Sequence, residues 1–185
     1  YFGYKTGKTP FEVADKEAVA ILKSAFFEVR NSFATENDIR ELQTAVTYVK
    51  NMCYTEEEIR KYQTPVQKFP EIYQAYQKGL KEKSLIDYDD QMVYALRILQ
   101  QFPEVRSHFQ ESYSYFCVDE AQDTSKIQHD MIRLLSEKSG NLFMVGDEDQ
   151  SIYGFRAAYP EALVDFEAVH PGASVLLMES NYRSG

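Results

Sequence analysis

The chain has 185 residues, 44% of them hydrophobic and 26% charged, and carries a net charge of -9. No apolar run approaches the ~18 residues that a membrane span needs, and Tyr1-Phe2-Gly3-Tyr4-Lys5 is no signal peptide. Two cysteines and three scattered histidines exclude a disulfide scaffold and offer no zinc spacing, so a reducing, cytoplasmic setting is the default.

Residues 11–83 read as helix after helix. Asp15 can cap a helix whose apolar stripe is Ala18, Val19, Leu22, Phe26 and Val29, close to a 3.6 period. Thr35-Glu36-Asn37-Asp38 resembles a capping box with Asp in place of Glu, and opens a helix bearing Ile39, Leu42, Val46 and Val49. Thr55-Glu56-Glu57-Glu58 is a second box before a short helix. Pro70 suits the first turn of another, with Ile72, Tyr73, Tyr76 and Leu80 on one face. Asp87 caps a helix with Met92, Ala95, Leu96 and Leu99, which Pro103 ends.

The period then changes. Tyr115-Phe116-Cys117-Val118, Asn141-Leu142-Phe143-Met144-Val145 and Ser174-Val175-Leu176-Leu177-Met178 are short apolar runs, which predict buried parallel strands. A helix capped near Thr124 and closed by Gly140 separates the first two, with Ile127, Met131, Leu134 and Leu135 inward. Pro160 opens another before the third, carrying Leu163 and Phe166. The pattern divides the chain into an all-helical part, residues 1–83, and part of an α/β sheet, residues 84–185.

Charge follows the same division. Residues 1–83 hold 13 basic and 12 acidic residues, a net of +1; residues 84–185 hold 7 and 17, a net of -10. The acids cluster at Asp87, Asp89, Asp90, at Asp119, Glu120, Asp123 and at Asp147, Glu148, Asp149. A solvated acidic face explains any one cluster. Carboxylates at strand ends can also hold a divalent cation, and open α/β sheets bind ligands at those ends. An Asp-Glu pair there suits phosphoryl transfer, the first acid holding Mg²⁺ and the second orienting and deprotonating water.

Three further runs stand in order: Asp119-Glu120-Ala121-Gln122-Asp123, then Gly146-Asp147-Glu148-Asp149-Gln150-Ser151-Ile152-Tyr153-Gly154-Phe155-Arg156-Ala157-Ala158, then Asn181-Tyr182-Arg183-Ser184. These resemble motifs II, III and IV of superfamily 1A DNA helicases, the UvrD/Rep/PcrA group. Leu85-Ile86-Asp87-Tyr88-Asp89-Asp90 resembles the L-D-F-D-D element of the same group. More loosely, residues 1–83 resemble its helical insertion, subdomain 1B.

The resemblance implies a fold and a set of roles. The fold is an incomplete RecA-like parallel sheet, with the P-loop strand absent and an all-helical insertion subdomain. Asp119 would help hold the Mg²⁺ of Mg-ATP, and Glu120, also near the metal, would be the catalytic base. Gln150 would sense the γ-phosphate and link ATP state to DNA. Tyr182 would stack on adenine, and Arg183 would reach the γ-phosphate. Tyr153 and Phe155 would line the single-stranded DNA path, where base stacking contributes ~1–3 kcal/mol per base. Arg156 would brace motif III against motif II. Duplex contacts would come from scattered cations: Lys5, Lys8, Lys50, Arg60, Lys61, Lys78, Lys81 and Lys83.

Two departures from the group stand out. Ala157 replaces a usual Gly. The phosphate loop G-x-x-x-x-G-K-[ST] is missing, because Gly7-Lys8-Thr9 has Gly3 only four residues before Gly7 and Pro10 directly after. The resemblance therefore implies an internal fragment of an ATP-dependent 3′-to-5′ DNA helicase acting in repair or replication. Alone it would be inactive, with an incomplete sheet prone to self-association. The alternative is a non-catalytic module that binds DNA or a repair partner. The compact helical part argues against a recombination helicase-nuclease subunit.

Overall fold

The computed structural model describes residues 11–147, 158–159 and 166–178. Strand β1 (Glu12–Val13) leads into four helices, α1 (Lys16–Arg30), α2 (Glu36–Asn51), α3 (Glu56–Lys61) and α4 (Phe69–Glu82). Then come β2 (Leu85–Ile86), α5 (Tyr88–Gln101), α6 (Pro103–Ser112) and β3 (Phe116–Val118). A single 3-10 turn (Ala121–Asp123) precedes α7 (Lys126–Ser136), β4 (Leu142–Met144) and α8 (Phe166–Val169).

The helix starts follow side-chain chemistry. Thr35 and Thr55 each accept a bond from the backbone N–H three residues on, and Asp38 and Glu58 reach back to the cap N–H. Asp thus serves the reciprocal role as well as Glu. The bonds from Thr35 and Thr55 hold both carboxyls below the usual range. Asp15 stands before α1 but makes no capping bond. Pro70 sits in the first turn of α4, where a missing N–H costs nothing.

The main core lies among α1, α2 and α4. Leu22, Phe26, Leu42, Val49, Phe69, Ile72 and Leu80 are buried there, each worth ~1.5–3 kcal/mol against exposure. At Gly79 of α4 an added Cβ would stand 2.6 Å from Ile21 Cγ2 of α1, so only glycine permits this approach of the two helices.

Two short parallel sheets frame these helices. β1 pairs with β2 in the register Glu12↔Leu85 and Val13↔Ile86. Parallel neighbours need a long crossover, and helices α1 to α4 supply it. β3 pairs with β4 in the register Phe116↔Leu142, Cys117↔Phe143 and Val118↔Met144, with α7 as its crossover. The β1–β2 pair escaped the sequence reading because two-residue strands carry no period.

The structure corrects several expectations. Residues 174–178 join no ladder, and Val175, Leu176, Leu177 and Met178 are exposed, Leu176 at 83%. An apolar run becomes a strand only where a sheet edge is offered, and among the described residues β4 pairs with β3 alone. Nor is the β3–β4 sheet covered on both faces. Tyr115, Cys117, Phe143 and Val145 are exposed, Phe143 at 61%, while Phe116, Val118, Leu142 and Met144 are half-buried. Pro103 ends α5 by opening α6. The cap of α7, expected near Thr124, is Ser125, with Gln128 Oε1 accepting from the Ser125 N–H at 2.8 Å. The expected helix from Pro160 is described only as α8, since Pro160 and Leu163 lie outside the described residues.

The largest correction concerns Asp87, Asp89 and Asp90. They form neither a solvated face nor an open cation site, because α2 occupies them. Lys50 Nζ lies 2.6 Å from Asp87 Oδ2 and 2.7 Å from Asp90 Oδ1, its side chain only 3% exposed. The Tyr76 hydroxyl donates to Asp87 Oδ2 at 2.8 Å. Thr47 Oγ1 and Asn51 Nδ2 each donate to Asp89 at 2.7 Å. Burial pushes the Asp90 carboxyl up, with Lys50 opposing. Burial and the Asp87 charge push the Tyr76 phenol far up, so it remains a donor. Lys50 is therefore no surface cation for DNA. Arg60, Lys61 and Lys78 each pair with a glutamate one turn away but stay exposed.

Removing Lys50 leaves two buried carboxylates without their cation. We expect Lys50→Met to lower unfolding free energy at neutral pH by ~3–5 kcal/mol, the usual cost of breaking one side of a buried ion pair. Adding Asp87→Asn and Asp90→Asn should recover much of it, since asparagine still caps a helix. Urea unfolding of the three proteins reads this out. A loss within ~1 kcal/mol, as for an exposed pair, would show that Lys50 is not structural.

Candidate functional site

The site forms where β3 and β4 end side by side. The ladder continues past both strands: the Val145 N–H donates to Val118 O at 2.8 Å and the Ala121 N–H to Val145 O at 2.9 Å. Asp119-Glu120 and Gly146-Asp147 thus leave the sheet together at its carboxyl end. Glu120 takes a left-handed backbone, φ 50, a conformation that costs a non-glycine residue roughly 1–2 kcal/mol. Its N–H is bound by Asp119 Oδ1 at 2.9 Å. Both acidic residues remain exposed.

Behind them the chain is tightly fixed. Ala121 is fully buried and Gln122 is 2% exposed. Gln122 Nε2 donates to Glu120 Oε2 at 2.7 Å, and its Oε1 accepts from the Asp147 N–H at 3.0 Å. Thr124 Oγ1 closes the 3-10 turn by donating to Ala121 O at 2.7 Å. The Tyr159 N–H donates to Thr124 O at 2.9 Å. Ile127 anchors α7, fully buried.

Of the residues singled out in the sequence, Asp119 and Glu120 stand adjacent at this strand end. Gln150, Tyr153, Phe155, Arg156, Tyr182 and Arg183 lie outside the described residues, as do Lys5, Lys8 and Ala157. Gln122 was missed. Its only signal was a polar residue inside Asp119-Glu120-Ala121-Gln122-Asp123, at a position that neither composition nor period marks as buried. Among the described residues, no three His, Cys, Asp or Glu side chains converge into a ready metal cage.

A cavity of about 270 Å³ lies beside α7, lined by Lys126, His129, Arg133, Met144, Phe166 and His170 among others. Burial lowers both histidines below their ordinary value, which favours the neutral ring. Neither Asp119 nor Glu120 lines this cavity.

The sequence matches the family described as UvrD/REP helicase N-terminal domain over residues 3–171. It is 41% identical over 114 residues to the ATP-dependent DNA helicase PcrA of Leuconostoc citreum, covering 62% of this chain and 15% of that protein. It is 39% identical over 118 residues to the PcrA of Staphylococcus aureus, covering 64% of this chain and 16% of that protein. The PcrA of Staphylococcus epidermidis is 38% identical over the same length. The chain thus spans less than a fifth of these relatives. The profile covers the helices, both strand ends and the Asp-Glu pair alike, and the chain belongs to the UvrD/REP helicase N-terminal domain family.

Proposed function

We propose that this chain is part of an ATP-dependent DNA helicase, in which ATP hydrolysis drives 3′-to-5′ movement on single-stranded DNA and opens duplex. One observation carries the reading of the site. Two exposed carboxylates, Asp119 and Glu120, stand at the carboxyl end of β3, beside the end of β4, where open α/β sheets bind ligands. The donor set suits a cation arriving with its substrate. Mg²⁺ keeps several waters and is usually held by one or two carboxylates plus phosphate oxygens. No third acidic or imidazole ligand is needed, and none converges among the described residues.

On this reading a bound Mg²⁺ would supply charge to offset that of the phosphates. Asp119 helps hold it, and Glu120 orients the attacking water and accepts its proton. Gln150 and Arg183 read the γ-phosphate, and Tyr182 stacks on adenine. Tyr153 and Phe155 take stacked bases, and Arg156 braces the run 146–158 against Asp119-Glu120. Residues 1–83, which carry α1 to α4, act as a 1B-like subdomain, and residues 84–185 as part of the RecA-like 1A domain. Exposed cations such as Arg60, Lys61, Lys78, Lys81 and Lys83 meet duplex phosphate. The setting is cytoplasmic DNA repair or replication. The sequence carries no phosphate loop with its lysine. The 185 residues alone are therefore expected not to turn over ATP.

Calorimetric titration of Mg-ATP into the 185-residue chain tests this. The expected result is no detectable binding, the mark of half a site. Micromolar binding that Glu120→Gln abolishes would mean that the chain forms a complete phosphate site, and would overturn the half-site reading in favour of a stand-alone module.

The bare face of the β3–β4 sheet, with Tyr115 and Phe143 exposed, also leads us to expect self-association of the isolated chain. Sedimentation velocity should show a concentration-dependent dimer that Phe143→Lys shifts to monomer. A monomer at every concentration would remove the proposal.

A further inference from the structure

We propose that Gln122 is a positioning residue that links the Glu120 carboxylate to the backbone at the end of β4. This rests on the reading of Glu120 as the group that handles water, but its test does not.

The geometry carries the assignment. The Asp147 N–H can only donate, so the carboxamide must present Oε1 to it, at 3.0 Å. That leaves Nε2 facing Glu120, whose ionised carboxylate can only accept, at 2.7 Å. Both ends of the amide are satisfied in one orientation, and reversing it would set donor against donor and acceptor against acceptor. The Gln122 side chain sits in a residue only 2% exposed, where a half-satisfied amide is costly.

The ends of the link differ in character. Glu120 follows β3 on a left-handed backbone, held by its neighbours rather than by a regular element. Asp147 follows β4 and is the second residue of the run 146–158, whose sequence resembles motif III. A shift of the Asp147 backbone by a few tenths of an ångström would stretch one bond of the pair. The planar amide would then drag the carboxylate with it. Backbone bonds alone, Ala121 N–H to Val145 O and Val145 N–H to Val118 O, fix the two chains but do not reach the Glu120 side chain. Gln122 therefore lets the position of one motif set the aim of the other's carboxylate. It is no catalytic residue, since it is buried behind the acids.

A double-mutant cycle read by amide hydrogen exchange on the 185-residue chain, without nucleotide, tests the link. Glu120→Ala should speed exchange at Asp147 by about five- to tenfold, the size of one ordinary hydrogen bond lost through the amide, while Val145 and Ala121 keep their protection. In a Gln122→Met background, Asp147 should already exchange fast, and Glu120→Ala should add nothing. Should Gln122→Met fail to fold, a scalar coupling across the hydrogen bond from the Asp147 nitrogen to the Gln122 side-chain carbonyl carbon in the unmodified chain tests the same contact. An Asp147 amide indifferent to Glu120→Ala, equally responsive in all backgrounds, or without that coupling, would overturn the proposal. None of these outcomes bears on whether Glu120 acts in hydrolysis, which the nucleotide titration addresses.

Discussion

The parallel pairing of β3 on β4 sets everything near the acidic strand end. Because side chains alternate along a strand, a slip of one residue would turn Phe116 and Val118 to solvent and carry Asp119 and Glu120 away from Gly146-Asp147. The register Phe116↔Leu142 and Val118↔Met144 is held by half-buried side chains on one face and by backbone bonds that run past both strand ends. The same register brings the Asp147 N–H within reach of Gln122. A six-residue patch of sheet thus places two carboxylates, one amide and the entry to the next motif in one small volume.

A second constraint fixes how the helices meet that patch. Lys50 on α2 is shared by Asp87 and Asp90 at the start of α5, and Thr47 and Asn51 bind Asp89. The helices α1 to α4 are a crossover between β1 and β2. Their packing relative to α5, and through α5 to α7, would be loose if it relied on those two-residue strands. Buried charge supplies direction that apolar contact lacks, since a lysine between two aspartates has few alternative positions. The same cost of desolvation makes the arrangement vulnerable to loss of one partner.

Much of this was legible in the residues. The capping boxes at Thr35 and Thr55, and the cap at Asp87, marked helix starts through local chemistry that tertiary context did not override. The apolar runs at 116–118 and 142–144 marked strands. What stayed hidden depended on partners distant in sequence. Residues 174–178 have strand composition but no offered edge. Lys50 looks like any helix-surface lysine until Asp87 and Asp90, 37 and 40 residues later, are brought to it. Gln122 looks like a polar turn residue, and only the approach of Asp147 makes it a buried bridge. The Asp119-Glu120 pair could be located because its argument rested on what a strand end presents, a local property.

We propose that the phosphate-directed cation site lies at the ends of β3 and β4, whereas the other described acidic cluster, at 87–90, is closed by Lys50. Mn²⁺ takes the same oxygen ligands as Mg²⁺ and broadens nearby amide resonances. Titrated into the isotope-labelled chain, it should broaden Asp119, Glu120 and Asp147 first and leave Asp87 to Asp90 sharp. Broadening that begins at Asp87, Asp89 and Asp90 would place the cation at the start of α5 instead.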